Sequence, residues 1–414
     1  MQITLSKNYV FFCILYLSLI IGFFLDEKLN YGAYMDWYAN SFVIKNFLAD
    51  FNKTFISYDE FSHRHSPIYY IILSQLYDLG FSDNLVRLIN LHLSLSLIIF
   101  FYKCLKLKFN YIDVKILQLL SLIIFFSPTF RSLSIWPDSR LPGLILFTIS
   151  IYFFIKFQID NRLKNVWLCS LYLILSSYMS PNFSLFSIYF YFLFYKKLKL
   201  ENFTLLIFFN FIAALPALYY IFIMDVNFMS AGITPSNNNE TVSLNFNYAN
   251  KILLISSILF FHLLPILFYT IKLDEILKYL KKNFLFIIFG CLILMYFFDY
   301  KMIYTGGGFF FQLSQILLNN NIILFFVCFF SITTFLYMLK LEFNNFLIFI
   351  IMVLTNVQNS IYHKYYEPMI VIIFFKLFAN LNFRNFFKNK RSLLVLYVYS
   401  LGFILLRLIK NSLI

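Results

Sequence analysis

Three carboxylates pose the first chemical question. Asp26 and Glu27 end an apolar run, and Asp36 follows within Tyr31-Gly32-Ala33-Tyr34-Met35-Asp36-Trp37-Tyr38, among aromatic side chains. Partial removal from water raises the basicity of a carboxylate, which is what a general base needs to deprotonate a hydroxyl. Asp36 is therefore the first candidate base, with Asp26 and Glu27 behind it. The plainer reading of each is a solvated acid beside a helix end.

Cationic groups recur at three later places. In Ser62-His63-Arg64-His65-Ser66-Pro67-Ile68-Tyr69-Tyr70 a Ser-Pro pair opens a helix. His63, Arg64 and His65 then gather with Tyr69 at a positive helix end suited to an anion; interfacial anchoring by the same residues is the alternative. Two His flanking an Arg are poor metal-ligand spacing, and no metal or other cofactor is expected. Arg131, Asp138 and Arg140 share the turn 127–140. Arginine forks fit phosphate oxygens, and a local Arg131–Asp138 pair competes with that role. Further on, Tyr362-His363-Lys364-Tyr365-Tyr366-Glu367-Pro368 offers a lysine among aromatic rings. It either holds a charged headgroup, with His363 and Tyr365 beside it, or snorkels to the interface. Gly306-Gly307-Gly308 lacks the strand and lysine of a phosphate loop and reads as a gate or a plain connector.

The elements that must carry these groups are greasy. Of 414 residues, 61% are hydrophobic, 22% aromatic and only 13% charged, with a mean hydropathy of +0.77. A soluble domain carries about 25% charged residues, so a single water-exposed fold is excluded. Thirteen stretches, near 8–25, 84–102, 114–131, 141–157, 165–179, 182–195, 203–224, 252–271, 284–298, 321–339, 346–361, 366–381 and 393–410, approach the roughly 20 apolar residues of a spanning helix. The expected fold is an all-α polytopic membrane protein with about 13 transmembrane helices, one domain over 1–414. Five cysteines, an odd number lying in or beside apolar stretches, define no disulfide framework.

Lys and Arg near span ends mark the cytoplasmic side. This puts the N-terminus inside a plasma membrane, expected to be the bacterial inner one, and leaves 26–83, 225–251 and 299–320 outside. Cytoplasmic segments then hold 21 Lys and Arg against six Asp and Glu. The formal net charge of +14 thus reports orientation, and no nucleic-acid partner is expected. Eight acids fall within 26–83, the expected working surface, a loop carrying juxtamembrane helices.

This layout resembles the GT-C superfamily of polyprenyl-phosphate-dependent glycosyltransferases, nearest the branch of protein O-mannosyltransferases and lipid A aminoarabinose transferases. The resemblance rests on Asp26-Glu27 or Asp36 as the acidic motif and on His65-Ser66-Pro67-Ile68-Tyr69-Tyr70 as a His-Pro-Pro-Leu-Tyr-Tyr-like element. Arg87 in Val86-Arg87-Leu88 and Lys364-Tyr365-Tyr366-Glu367-Pro368, similar to an Arg-Tyr-x-x-Pro element, complete it. It implies inverting transfer of a sugar from a polyprenyl-phosphate-linked donor to a lipid, glycan or protein acceptor on the extracytoplasmic face, with a loop carboxylate as base and cations at the departing phosphate. Ser66 stands for the first proline, and Lys364 for the arginine, exchanging a fork for a point charge. The family's carboxylate aligns with either Asp26 or Asp36. Asp36 is preferred because Gly32-Ala33 allow close packing, while Trp37 and Tyr38 supply a stacking surface. Of the rivals, a polysaccharide polymerase or ligase is expected to carry its main external loop late in the chain. A flippase or transporter places ionisable residues at mid-membrane, where these spans hold little besides His92, Gln118, His262 and Lys376.

Overall fold

The computed structural model describes residues 7–61, 66–223, 247–301, 306–356 and 360–413. His63, Arg64 and His65, together with Tyr304-Thr305 and nearly all of 225–251, lie outside the described residues. Every regular element among the described residues is a helix.

Seven of these helices are long and apolar enough to cross a membrane: Lys7–Phe24, Asp83–Lys108, Arg140–Asp160, Leu200–Phe222, Tyr248–Thr270, Ile322–Leu341 and Arg391–Asn411. Val114–Phe126 with Pro128–Ile135, bent by 70°, makes an eighth if counted as one span. The other expected spans also fall on helices, but these are shorter or broken for local reasons. Leu163–Met179 stops two residues before Pro181, Phe343–Leu354 has 12 residues, and Met369–Lys376 begins only after Pro368. Leu273–Tyr296 is kinked at Asn283, whose side chain donates to the Tyr279 carbonyl at 2.9 Å.

The chain forms two compact units, Met1–Phe228 with Tyr397–Ile414, and Met229–Leu396. In the first, Asp83–Lys108 is capped by Ser82 Oγ, which accepts from the Leu85 amide. Asp83 in its first turn and Lys106 and Lys108 in its last complement its dipole. It packs on Arg140–Asp160, which turns through Asn161 in a left-handed conformation (φ 53°) into Leu163–Met179. Small side chains let that helix pair close: Ser176 Oγ donates to the Gly143 carbonyl at 2.8 Å, and Ser150 meets Cys169 at 3.4 Å.

The bend at Ser127-Pro128 starts the helix that carries Arg131. Ser127 Oγ accepts from the Phe130 amide at 3.0 Å, and Pro128 fills the first turn of Pro128–Ile135, where its missing N–H costs nothing. All eight residues of this short helix are buried. The segment after the first long helix forms Tyr31–Ala49, Phe51–Ile56 and Ile68–Asp78, the first and third packed together, with Trp37, Val43, Tyr69 and Tyr70 buried.

The second unit is built around Tyr248–Thr270, which touches Gly308–Leu318, Ile322–Leu341, Phe343–Leu354, Met369–Lys376 and Phe383–Lys388. Asn247 caps its start by accepting from the Ala249 and Asn250 amides.

Candidate functional site

In the first unit the candidate acids and arginines form ion-paired groups: Glu27 with Arg131, Asp26 with Arg87, and Asp36 and Asp138 with Arg140. Glu27 receives both arms of Arg131: Nε donates to Oε1 at 2.7 Å and Nη2 to Oε2 at 2.5 Å. The same guanidinium donates through Nη1 to Ser18 Oγ and through Nη2 to the Ser18 carbonyl, each at 3.1 Å. Gly22 makes room for this fork, since a Cβ there would lie 2.6 Å from Glu27 Oε2 and 3.1 Å from Arg131 Nη2. With 10% and 18% of their side chains exposed, Arg131 and Glu27 neutralise each other where few waters reach.

Asp26, one residue earlier and in a left-handed turn (φ 50°), accepts from Arg87 Nη2 at 2.6 Å. Arg87 also donates through Nε to the Ile135 carbonyl at 3.3 Å and lies 3.8 Å above the Trp136 ring. Trp136 in turn donates its indole N–H to the Glu27 carbonyl at 2.9 Å. One turn further along the long helix, Asn90 donates to the carbonyls of Leu133 and Ser134 at 2.9 and 2.8 Å. Arg87 and Asn90, three residues apart and so on one helix face, together satisfy carbonyls at the end of Pro128–Ile135 that its own ladder leaves open.

Asp36 has a third arginine as its partner. Arg140 Nη2 donates to Asp36 Oδ2 at 2.5 Å and to Asp138 Oδ2 at 2.9 Å, while its Nε donates to Asp138 Oδ1 at 2.8 Å. Arg140 thus bridges two carboxylates of unlike exposure, Asp138 at 5% and Asp36 at 37%. The local Arg131–Asp138 pair expected as an alternative does not form: Glu27 takes both arms of Arg131, and Asp138 accepts from the Arg140 amide and guanidinium two residues on. Tyr69 and Tyr70 lie buried alongside. Burial pushes both phenols well above their usual range, followed by the negative charge of Asp138 for Tyr69 and by Tyr58, Asp138 and Asp36 for Tyr70. They remain neutral hydrogen-bonding groups at any physiological pH.

His363, Lys364 and Tyr365 belong to the second unit. His363 Nε2 accepts from the Phe309 amide at 2.8 Å, so its proton sits on Nδ1, which faces His262 Nε2 at 2.8 Å. The amide that fixes this tautomer comes from the glycine segment: Gly307 N–H donates to the Ile361 carbonyl at 2.8 Å, and Gly308 (φ 81°) starts the next helix. That segment is therefore a docked helix start. Lys364 Nζ lies 5.5 and 5.8 Å from the Tyr362 and Tyr365 ring centres. Among the described residues, no three His, Cys, Asp or Glu side chains gather as a metal site.

Residue type alone does not mark Ser18, Gly22, Asn90 and Ser132, although each supports these groups or the chain around them; Ser132 Oγ accepts from the Asn30 amide at 2.8 Å. Trp136 alone carried a visible signal, as one of three tryptophans in the chain and set between the two arginines. Comparisons with protein-family models, with curated proteins and with solved structures give no match for this chain.

Proposed function

We propose that this protein is an integral membrane glycosyltransferase moving a sugar from a polyprenyl-phosphate-linked donor to a lipid, glycan or protein acceptor, with inversion, at the outer face of a bacterial inner membrane. In this reading the N-terminus is cytoplasmic and the chain crosses thirteen times, the shorter and kinked helices completing spans between the long ones. One observation carries the proposal: Asp36 is the partly exposed end of an Asp36–Arg140–Asp138 bridge, beside the buried Tyr70.

The bridge suggests how the base is released. A donor phosphate competes with Asp36 for the same Arg140 guanidinium, whose planar fork suits phosphate oxygens. Once Arg140 turns to the donor, the Asp36 carboxylate takes the acceptor's hydroxyl proton. The acceptor oxygen then bonds to the anomeric carbon as the bond from that carbon to the phosphate oxygen breaks. The polyprenyl phosphate leaves with the electron pair, its charge countered by Arg140.

Mass spectrometry of envelope glycans and glycolipids, with the gene present, deleted or replaced by Asp36→Asn, tests this reading. The proposal expects deletion and Asp36→Asn to lose the same glycan, with membrane insertion and protein level unchanged in the variant. Wild-type turnover in Asp36→Asn removes Asp36 as base, and loss in Asp26→Asn alone transfers the role. An unchanged profile on deletion overturns glycosyl transfer altogether.

A further inference from the structure

A cleft of about 1110 Å³ opens in the second unit, between Tyr248–Thr270, Ile322–Leu341, Phe383–Lys388 and the start of Leu273–Tyr296. It exceeds the roughly 300–1,000 Å³ of an ordinary small-molecule site. Its composition is divided by position along the helices. The last two turns of Tyr248–Thr270 contribute Leu264 and Phe268, and the second and third turns of Ile322–Leu341 contribute Phe326 and Phe330, all solvent-accessible in the unit and Phe268 and Phe326 strongly so, at 77% and 65%. The helix ends contribute the charge, Lys272 just after Thr270 and Lys388 at the close of Phe383–Lys388.

Both lysines are exposed, and neither makes an ion pair among the described residues. Lys278, Lys281, Lys282, Arg384 and Arg391 add positive charge on the same two stretches of chain, against Asp274 and Glu275. Glu275 is engaged, accepting from the Tyr337 hydroxyl at 2.6 Å. An apolar slot ending in unpaired cations is complementary to an amphiphile with a long hydrocarbon part and an anionic head. A free anion has no use for the aromatic walls, and a neutral lipid none for the lysines.

We propose that this cleft seats an anionic phospholipid of the surrounding bilayer, with its phosphate at Lys272 and Lys388 and its acyl chains along Leu264, Phe268, Phe326 and Phe330. Lysines beside an anionic leaflet attract its headgroups individually, and the cleft converts that general attraction into a defined site. The inference is independent of glycosyl transfer.

Native mass spectrometry of the purified full chain, equilibrated with equal amounts of phosphatidylglycerol and phosphatidylcholine, tests it. The wild type is expected to retain phosphatidylglycerol in preference. Lys272→Gln with Lys388→Gln should cut that preference about tenfold, and Leu264→Trp, which fills the apolar end, should reduce retention of both lipids. Should the double variant fail to elute as folded protein, Lys388→Gln alone is read in the same way, with a drop of about threefold to fivefold. Equal retention of the two lipids by the wild type overturns the proposal, as does an unchanged preference in the lysine variants. Displacement of the bound lipid by inorganic phosphate alone also overturns it, since the hydrocarbon would then contribute nothing.

Discussion

At the scale of residues, acids of one chemical type are separated by their partners. Glu27 is gripped at both oxygens by Arg131 beneath Gly22, and Asp138 lies 5% exposed against Arg140, so both serve to hold the bent chain in place. Asp36 combines exposure with a partner that a phosphate can recruit. Removing one member of a buried pair strands the other charge, at a cost of about 3–5 kcal/mol. Arg131→Ala should lose stability of that order in chemical unfolding in detergent. The Arg131→Gln/Glu27→Gln double variant should lose less than the sum of the two single ones; additive losses would mean the two charges are not coupled. Arg140→Lys keeps the charge and removes the fork. Under the proposed mechanism it should raise the apparent KM for the donor at least tenfold, and an unchanged KM would place the phosphate elsewhere.

At the scale of elements, both units rely on helix starts that proline or glycine makes possible. Ser127-Pro128 starts the helix that carries Arg131 inward. Gly308 starts the helix whose Phe309 amide binds His363. A Cβ on Gly308 would lie 2.5 Å from Ile258 Cγ1, in a backbone conformation (φ 81°) that L-residues disfavour. Gly308→Ala should therefore cost about 1–3 kcal/mol. Combining it with Ile258→Ala removes the clash but not the strain, so the double variant should be more stable than additivity predicts. A strictly additive pair in thermal unfolding would show that Ile258 is not what Gly308 avoids.

At the scale of the whole molecule, sidedness is the property that charge distribution governs most directly. Lys281 lies in a stretch expected inside and Glu60 in one expected outside, and both side chains are exposed. With Glu60→Cys, a membrane-impermeant maleimide should label intact cells; with Lys281→Cys, labelling should require permeabilisation. The reverse pattern would turn the proposed orientation over. The five native cysteines, four buried and Cys13 partly so, give little background.

Much of this was legible along the chain. Hydropathy is a local property and burial in lipid demands long apolar runs, so the seven helices long and apolar enough to cross a membrane fall where apolar runs were expected, while other expected spans overlap shorter or kinked helices. The Ser-Pro pair before Ile68 marked a helix start, and Asp36, Arg131, Asp138 and Arg140 were visible by residue type. Which arginine meets which acid was not. Arg131 and Glu27 are 104 residues apart, as are Arg140 and Asp36, and His262 and His363 are 101 apart. Proximity along the chain does account for Arg140–Asp138, two residues apart, while the Arg131–Asp138 pair weighed as an alternative does not form. A Ser-Pro step announces that a helix begins but carries no record of which distant segment its side chains will meet, and Glu27 and Asp36 reach their arginines from more than 100 residues away. Composition and pattern by themselves determined a helical membrane protein with its acids gathered in one early segment. Only the tertiary path, through which buried charges find opposite charges and open carbonyls find donors, decided which of those acids is held and which faces out.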